Sequence, residues 1–354
     1  MKRTNHFGAF GAYDDCVVEI LSMDNSAQRQ DTAPRRLLWS ALSIAFVLVF
    51  LAACVAYVWL HRDDFSFLAA TAHGDLSIAA ACILLSYLLN SCQLGLFLVK
   101  LGLQLTLWER LGLTMAMMLG NLVIPLRGGS GALAVYLKAV HHFDFASFAI
   151  IYGGSALVMA LINSALALGA LGYLAAVHGF YQPILLAASG TLFIGSAYFV
   201  FAPPPTPRRY KGVLGALFRV SQGWRLITMD KPLMRALVLS TALIVLCLLG
   251  AFWSIYQATQ SSISFWGVVV TSSLGNIANL APFTPGSLGI FDAVAIQIPL
   301  LFDLDLPRSM AATFLFRTLC FGWALLFGLP ASWYMARNIR LARSKDGLHS
   351  GPRS

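Results

Sequence analysis

The residue in this chain whose type and placement most suggest chemistry is Arg127. It sits in the stretch from Gly120 to Lys138, reading GNLVIPLRGGSGALAVYLK, deep within apolar sequence. A guanidinium is permanently charged and presents a planar fork suited to phosphate or carboxylate. Gly128, Gly129 and Gly131 beside it let backbone N–H groups approach an anion. A helical limb starting near Ala132 would point its positive end at the same place. Irregular backbone at membrane depth persists only where it is buried in protein or lines a wet cavity, because lipid offers free N–H and C=O groups nothing to bond. The stretch therefore reads as a site before it reads as a helix. The plainer alternative is that Pro125 and the glycines end one helix and Arg127 snorkels to the headgroups.

A buried charge must be paired, and the candidates for Arg127 are Asp292 or the phosphate of a lipid. Arg317, in the last apolar span, is a second intramembrane cation. Asn121, Asn276 and Asn279 are amides just before breaks in the apolar runs, good for headgroup or backbone bonding, though such amides more often cap or join helices. GGSG lacks the Gly-Lys-Ser/Thr ending of a P-loop. Neither a nucleophile–base pair nor a metal cluster stands out, so no enzyme and no cofactor is expected. His141 and His142 are adjacent at a membrane surface, and Met115, Met117 and Met118 read as packing residues. The cysteines, Cys16, Cys54, Cys82, Cys92, Cys247 and Cys320, show no metal or redox spacing.

The elements that must hold these residues are membrane helices. Of 354 residues, 58% are hydrophobic and only 11% charged, and the mean hydropathy is +0.74, too apolar for a soluble fold with a polar surface. The net charge of +9 would suggest nucleic acid in a soluble protein, but here the basic residues gather at the ends of apolar runs, and no nucleic-acid partner is expected. Residues 1–36 read as a polar cytoplasmic tail without a signal-peptide core, residues 37–340 as the transmembrane domain, and residues 341–354 as a basic cytoplasmic tail. Spans are expected at about Leu37–Leu60, Leu76–Val99, Phe145–Ala176, Tyr181–Phe201, Arg235–Tyr256 and Met310–Met335. A short amphipathic connector with Glu109 and Arg110 precedes the limbs Leu111–Ile124 and Ala132–Val140, which flank the first break. A second break, APFTPGSLG from Ala281 to Gly289, separates Ile263–Leu280 from Ile290–Phe302. Each limb is near or below the roughly 17 to 25 residues a spanning helix needs, and both ends of the first pair carry basic residues, so the pairs read as re-entrant hairpins.

Topology follows from the 24 Lys and Arg residues: only Arg62 and Arg308 fall outside, Arg127 and Arg317 fall within the membrane, and the rest lie on the cytoplasmic side. The loop 202–232, with Arg208, Arg209, Lys211, Arg219, Arg225 and Lys231, is cytoplasmic on this reading. It is also a candidate surface for anionic headgroups or for a lipid-biosynthetic enzyme docking on residues 208–231. Placing Pro125 over Pro282 (282 − 125 = 157) aligns PLRGGS with PFTPGS and carries the second span onto the fifth and the third onto the last. The halves, 37–176 and 181–337, then have opposite orientation. Paired interrupted segments of this kind point to a transporter's substrate site near mid-membrane. The expected fold is thus an all-α integral membrane protein with about six full spans and two re-entrant broken hairpins in an inverted repeat, or eight or more crossings if the hairpins count as spans.

At its two breaks the chain resembles the flippase-like family typified by the transmembrane region of bacterial lysylphosphatidylglycerol synthases. The first match is N-x3-P-x-R-x-G from Asn121 to Gly129; the second, more specific, is P-x-T-P-G-x-x-G-x-x-[DE] from Pro282 through Thr284, Pro285, Gly286 and Gly289 to Asp292; Arg317 is the third. The resemblance covers about Leu37 to Arg340. It implies movement of a lipid or lipid-linked precursor between the leaflets of the inner membrane, with Arg127, Asp292 and Arg317 as functional positions and an anionic headgroup as the expected cargo. The family pattern often has an acidic residue where this chain has Ser130, a basic one where it has Leu133, and a glycine where it has Ser287. Too little sequence follows the last span for the soluble aminoacyl-transferase domain of the full synthases, so lysyl transfer is not expected. The rival expectation is a membrane partner that delivers lipid or isoprenoid intermediates to an enzyme without moving them.

Overall fold

The structure, a computed structural model, describes Trp59 and residues 72–124, 127–143, 145–201, 224–225, 227–280 and 285–349. Apart from Trp59, the expected first span lies outside the described residues, as do Pro125, Pro282, Thr284 and most of the basic loop. Those described form helices α1 (His73–Lys100), α2 (Leu107–Val123), α3 (Gly128–His141), α4 (Phe145–His178), α5 (Pro183–Phe201), α6 (Lys231–Ala258), α7 (Phe265–Ala278), α8 (Ile290–Leu300) and α9 (Leu306–His349). A single 3-10 turn, Pro285–Ser287, precedes α8. No strand occurs among the described residues. This is an all-α multi-pass membrane protein. Five helices, α1, α4, α5, α6 and α9, are long and apolar enough to cross a membrane, and α7 and α8 are shorter apolar helices. Helices are what such a sequence must form, because only internal backbone pairing satisfies N–H and C=O groups in hydrocarbon.

Side-chain caps set several helix starts. Thr106 accepts the Glu109 N–H at the start of α2, Asp230 accepts the Leu233 N–H at the start of α6, and Ser264 accepts the Gly267 N–H at the start of α7. The Thr106 cap corrects the reading of Glu109 and Arg110 as a connector, since both lie in the first turn of α2. Two more boundaries differ from expectation. The second limb of the first hairpin begins at Gly128 and not near Ala132, because Ser130 N–H bonds both the Arg127 carbonyl (2.9 Å) and Asn121 Oδ1 (3.0 Å), drawing the glycines into the first helical turn. The last helix runs on to His349, past the expected end of the span, through a sequence rich in the strong helix formers Ala, Arg and Leu.

Helix α1 lies along α6, α2 packs against both α3 and α9, and α7 packs against both α8 and α4. One apolar core joins Phe97 and Leu98 of α1 with Leu113 of α2, Leu133 and Leu137 of α3 and Val158 of α4. A second joins Ile83 of α1 with Phe252 and Ile255 of α6, Phe291 of α8 and Phe316 of α9. Where one helix must lie directly on another, the sequence supplies glycine: a Cβ on Gly129 would stand 2.0 Å from the Met117 carbonyl oxygen. Small residues allow this approach, and in lipid close packing is the main source of helix association. The C-terminal end of α1 and the N-terminal end of α6 are tied by an ion pair between Lys100 and Asp230, which places two groups expected on the cytoplasmic side at one end of the bundle. Hydrogen bonding from Lys100, and then from the Leu233 N–H, holds the Asp230 carboxyl below its usual range.

Candidate functional site

The two breaks meet a cavity of about 240 Å³ that also reaches the middle of α1 and α6. Its wall includes Arg127 beside the first break, Gly286 and Ser287 of the second, and Arg317 of α9. The structure thus brings both arginines expected within the membrane, 190 positions apart in sequence (317 − 127), to one chamber.

Arg127 is the residue immediately before α3 and has a left-handed backbone (φ 54°), uncommon for a side chain of its size. This turns it off the helix axis. Its Nη1 donates to Tyr152 Oη of α4 (2.6 Å) and its Nη2 to the Asn279 carbonyl after α7 (2.6 Å). The Tyr152 ring also lies within cation–π reach, 5.5 Å from the guanidinium carbon. Both acceptors are neutral, and Arg127 has no salt bridge among the described residues. A guanidinium has five N–H donors, so three make no hydrogen bond to the described residues.

Arg317 is built differently. Its Nε donates to Asp292 Oδ1 in a close ion pair, and its Nη1 donates to the Gly286 carbonyl (3.1 Å). The Phe291 ring lies 4.8 Å from its guanidinium carbon. Asp292 is 1% exposed, and its second oxygen accepts the Gly289 N–H (2.9 Å), capping α8. Gly286 and Gly289 have φ of 55° and 87°, backbone that favours glycine, and this is how the PGSLG segment turns sharply enough to bring its carbonyls to Arg317. The expected pairing of Asp292 with Arg127 is therefore corrected. Asp292 is at the first turn of α8, where both its oxygens are used by Arg317 and the helix cap, and Arg127 on the other hairpin is left to neutral partners.

The other expected site residues divide. Asn121 faces the cavity but its amide is committed to the Ser130 backbone and hydroxyl, the capping use of such a residue. Asn276 also faces the cavity and donates to Asn163 Oδ1 of α4 (3.1 Å), joining α7 to α4. Gly128 and Gly129 serve helix start and packing: a Cβ on Gly128 would meet the Ile124 side chain at 2.2 Å. Pro285 forms part of the 3-10 turn; Pro125, Pro282 and Thr284 fall outside the described residues.

Sequence reasoning missed Tyr152, Asn90, Gln93 and Thr241, all on the cavity wall. A signal for two of them was present. Ser86, Asn90 and Gln93 stand four and three residues apart in a span otherwise dominated by apolar residues, which places them on one face of α1. Gln93 Nε2 donates to Thr241 Oγ1 (2.8 Å) and Ser240 Oγ (3.1 Å), so this polar face meets α6. Tyr152 had no such signal, because tyrosine is ordinary in a membrane helix.

Fold and site together define a multi-pass helical membrane protein with two interrupted helix pairs around a chamber whose described lining mixes apolar side chains with uncharged polar ones and two arginines. The chain belongs to the family described as the lysylphosphatidylglycerol synthase TM region, whose match spans residues 40–328. No curated protein matches its sequence.

Proposed function

We propose that this protein moves a lipid, or a lipid-linked precursor, with an anionic headgroup between the leaflets of the inner membrane, the headgroup entering the chamber between the two breaks while its chains stay in lipid. The observation that carries this reading is Arg127: a half-buried guanidinium whose two partners among the described residues are neutral, with an open cavity beside it. A charge so placed is costly without a counter-ion, and a phosphate supplies one. The cavity suits a headgroup in size, and family membership adds the link to lipids.

An inverted repeat is part of the proposal. The offset that superposes the two prolines carries α1 onto α6, α2 onto α7, α3 onto the 3-10 turn and α8, and the beginning of α4 close to that of α9. Packing follows the same correspondence, for α2 lies on α9 as α7 lies on α4. Rocking of one half against the other would then open the chamber to each side in turn. With both termini cytoplasmic, the end holding Lys100 and Asp230 faces the cytoplasm. The protein acts as a transporter, with no covalent chemistry on its cargo.

The test is transbilayer movement of fluorescent phospholipids in liposomes containing the purified full chain. Arg127→Ala should fold normally, with unfolding within about 1 kcal/mol of the parent, and should lose headgroup-dependent movement. Full movement in Arg127→Ala would remove the arginine from the mechanism, and no movement of any lipid by folded parent protein would remove the transport reading.

A further inference from the structure

Arg110, in the first turn of α2, is a partly buried cation that the chamber does not use. Its side chain lies against the α1 backbone at Gly95. A Cβ there would stand 1.7 Å from Arg110 Nη1, 2.7 Å from Cζ and 2.8 Å from Cδ, so glycine leaves the room that seats the guanidinium. Arg110 Nε is buried without a hydrogen-bond partner, and the guanidinium forms no ion pair among the described residues. The neighbouring carboxylates are committed: Glu109 to Tyr136 and His141, and Asp230, at the same end of the bundle, to Lys100. A cation held in this way is costly until an anion reaches it.

The same seam holds more orphaned polar atoms. The short connector 101–106 joins α1 to α2, so α1 runs toward this end of the bundle and α2 away from it. One turn before Gly95 and one turn after Arg110 therefore share the seam, and the residues there are Ser91 and Thr114. They are 0% and 1% exposed, and the hydroxyl of each is buried without a partner among the described residues. A further turn along, Tyr87 and Met118 line the chamber. The seam thus leads from Arg110 toward the chamber with hydroxyl donors between. At its outer end Trp108 is 81% exposed, a side chain favoured at the membrane–water boundary, the depth of lipid phosphates.

We infer that Arg110, seated on Gly95, is a phosphate-binding site at the mouth of this seam, which takes the phosphate of a membrane lipid with the Ser91 and Thr114 hydroxyls as the next donors inward. Guanidinium and hydroxyl groups both donate to phosphate oxygens, which makes phosphate the fitting anion. The site is separate from the chamber and stands whether or not lipid crosses the bilayer.

Equilibrium binding to the detergent-purified full chain carrying Arg127→Ala reads this site with the first hairpin's arginine removed. The probes are dihexanoyl phosphatidic acid and inorganic phosphate. Phosphatidic acid should bind, and Arg110→Gln should weaken it at least about tenfold. Gly95→Ala keeps the charge and displaces the guanidinium, the clash falling on the far end of a flexible side chain, and should weaken binding by about three- to tenfold. Thr114→Val removes a hydroxyl at nearly constant shape and should cost about threefold. Absence of binding, or binding unchanged in Arg110→Gln, would overturn the inference. So would a loss in Arg110→Gln with none in Gly95→Ala and Thr114→Val, the mark of long-range charge without a seat. Tighter binding of phosphatidic acid than of inorganic phosphate assigns the site to lipid, and equal binding overturns that assignment in favour of free phosphate. Arg110-dependent binding without transbilayer movement upholds this site and removes the transport proposal alone.

Discussion

The two breaks solve one backbone problem with different chemistry. In the first, the limbs touch through glycine, Gly129 lying on the Met117 and Gly120 backbone, while Asn121 caps the returning helix. Closure needs no charge, and Arg127 is left facing the cavity with neutral partners. In the second, the closing contact is ionic: Asp292 caps α8 and pairs with Arg317, whose guanidinium gathers the Gly286 carbonyl. The neighbouring rings of Phe291, Phe316 and Phe252 enclose that pair on one side, with Phe252 and Phe316 stacked at 4.4 Å. The difference teaches that an arginine at membrane depth is not by itself a binding residue. Arg317 has a built-in counter-ion and works as a strut, whereas among the described residues Arg127 has neutral partners alone.

The comparison breaks most visibly if the strut is cut. Asp292→Ala leaves Arg317 charged and unpaired in a nearly buried position, which should lower stability by about 3 to 5 kcal/mol. Thermal unfolding in detergent reads this, and Arg317→Leu added to Asp292→Ala should recover much of the loss. An unchanged unfolding midpoint in Asp292→Ala would mean that the ion pair does not order the second break.

The glycine contact comes next in size. Gly129→Ala forces a methyl onto backbone and should cost about 1 to 3 kcal/mol, whereas Gly131→Ala, where a Cβ meets nothing within 4 Å, should be neutral or slightly stabilising. Equal effects at the two positions would show that glycine content, and not the contact, matters in the first hairpin.

A smaller effect tests a feature of the first hairpin that the second lacks. Glu109 Oε1 accepts from Tyr136 Oη (2.9 Å) and lies 2.8 Å from His141 Nε2, while Asn338 of α9 donates to the same tyrosine oxygen (3.2 Å). The offset of the proposed repeat places Trp266, Ala293 and Ile298 at the matching positions, which cannot form such a network. Tyr136→Phe should lower stability by about 1.5 kcal/mol in the same unfolding measurement.

The smallest effect lies at the end of the bundle. Because the native Asp230 pKa is depressed, its contribution to stability is present above the ordinary carboxylate pKa of about 3.9 and is lost as pH falls through the lower native value. Asp230→Asn should flatten that acid limb and change little at neutral pH, since its partner Lys100 is exposed and the pair is screened.

Much of the scaffold could be read from order and composition alone. Apolar run length fixed where α1, α4, α5, α6 and α9 lie, because the backbone in lipid has no partner but itself. Glycine marked the second break, where Gly286 and Gly289 take the positive φ that turns the chain, whereas Pro299 and Pro330 lie inside helices and mark none. Arg127 and Arg317 stood out because a charge in an apolar run is costly wherever it points. Partner choice was beyond the sequence. Asp292 lies three residues past Gly289 and was open to either arginine, and only the packing of α8 on α9 brought it to Arg317. Arg127 took its bonds from Tyr152 and from a backbone carbonyl at Asn279, a residue 152 positions away whose type says nothing about its C=O. Local sequence dictates helices because their hydrogen bonds close within four residues; which charge neutralises which is a matter of a few ångströms between distant segments, and only the tertiary structure decides it.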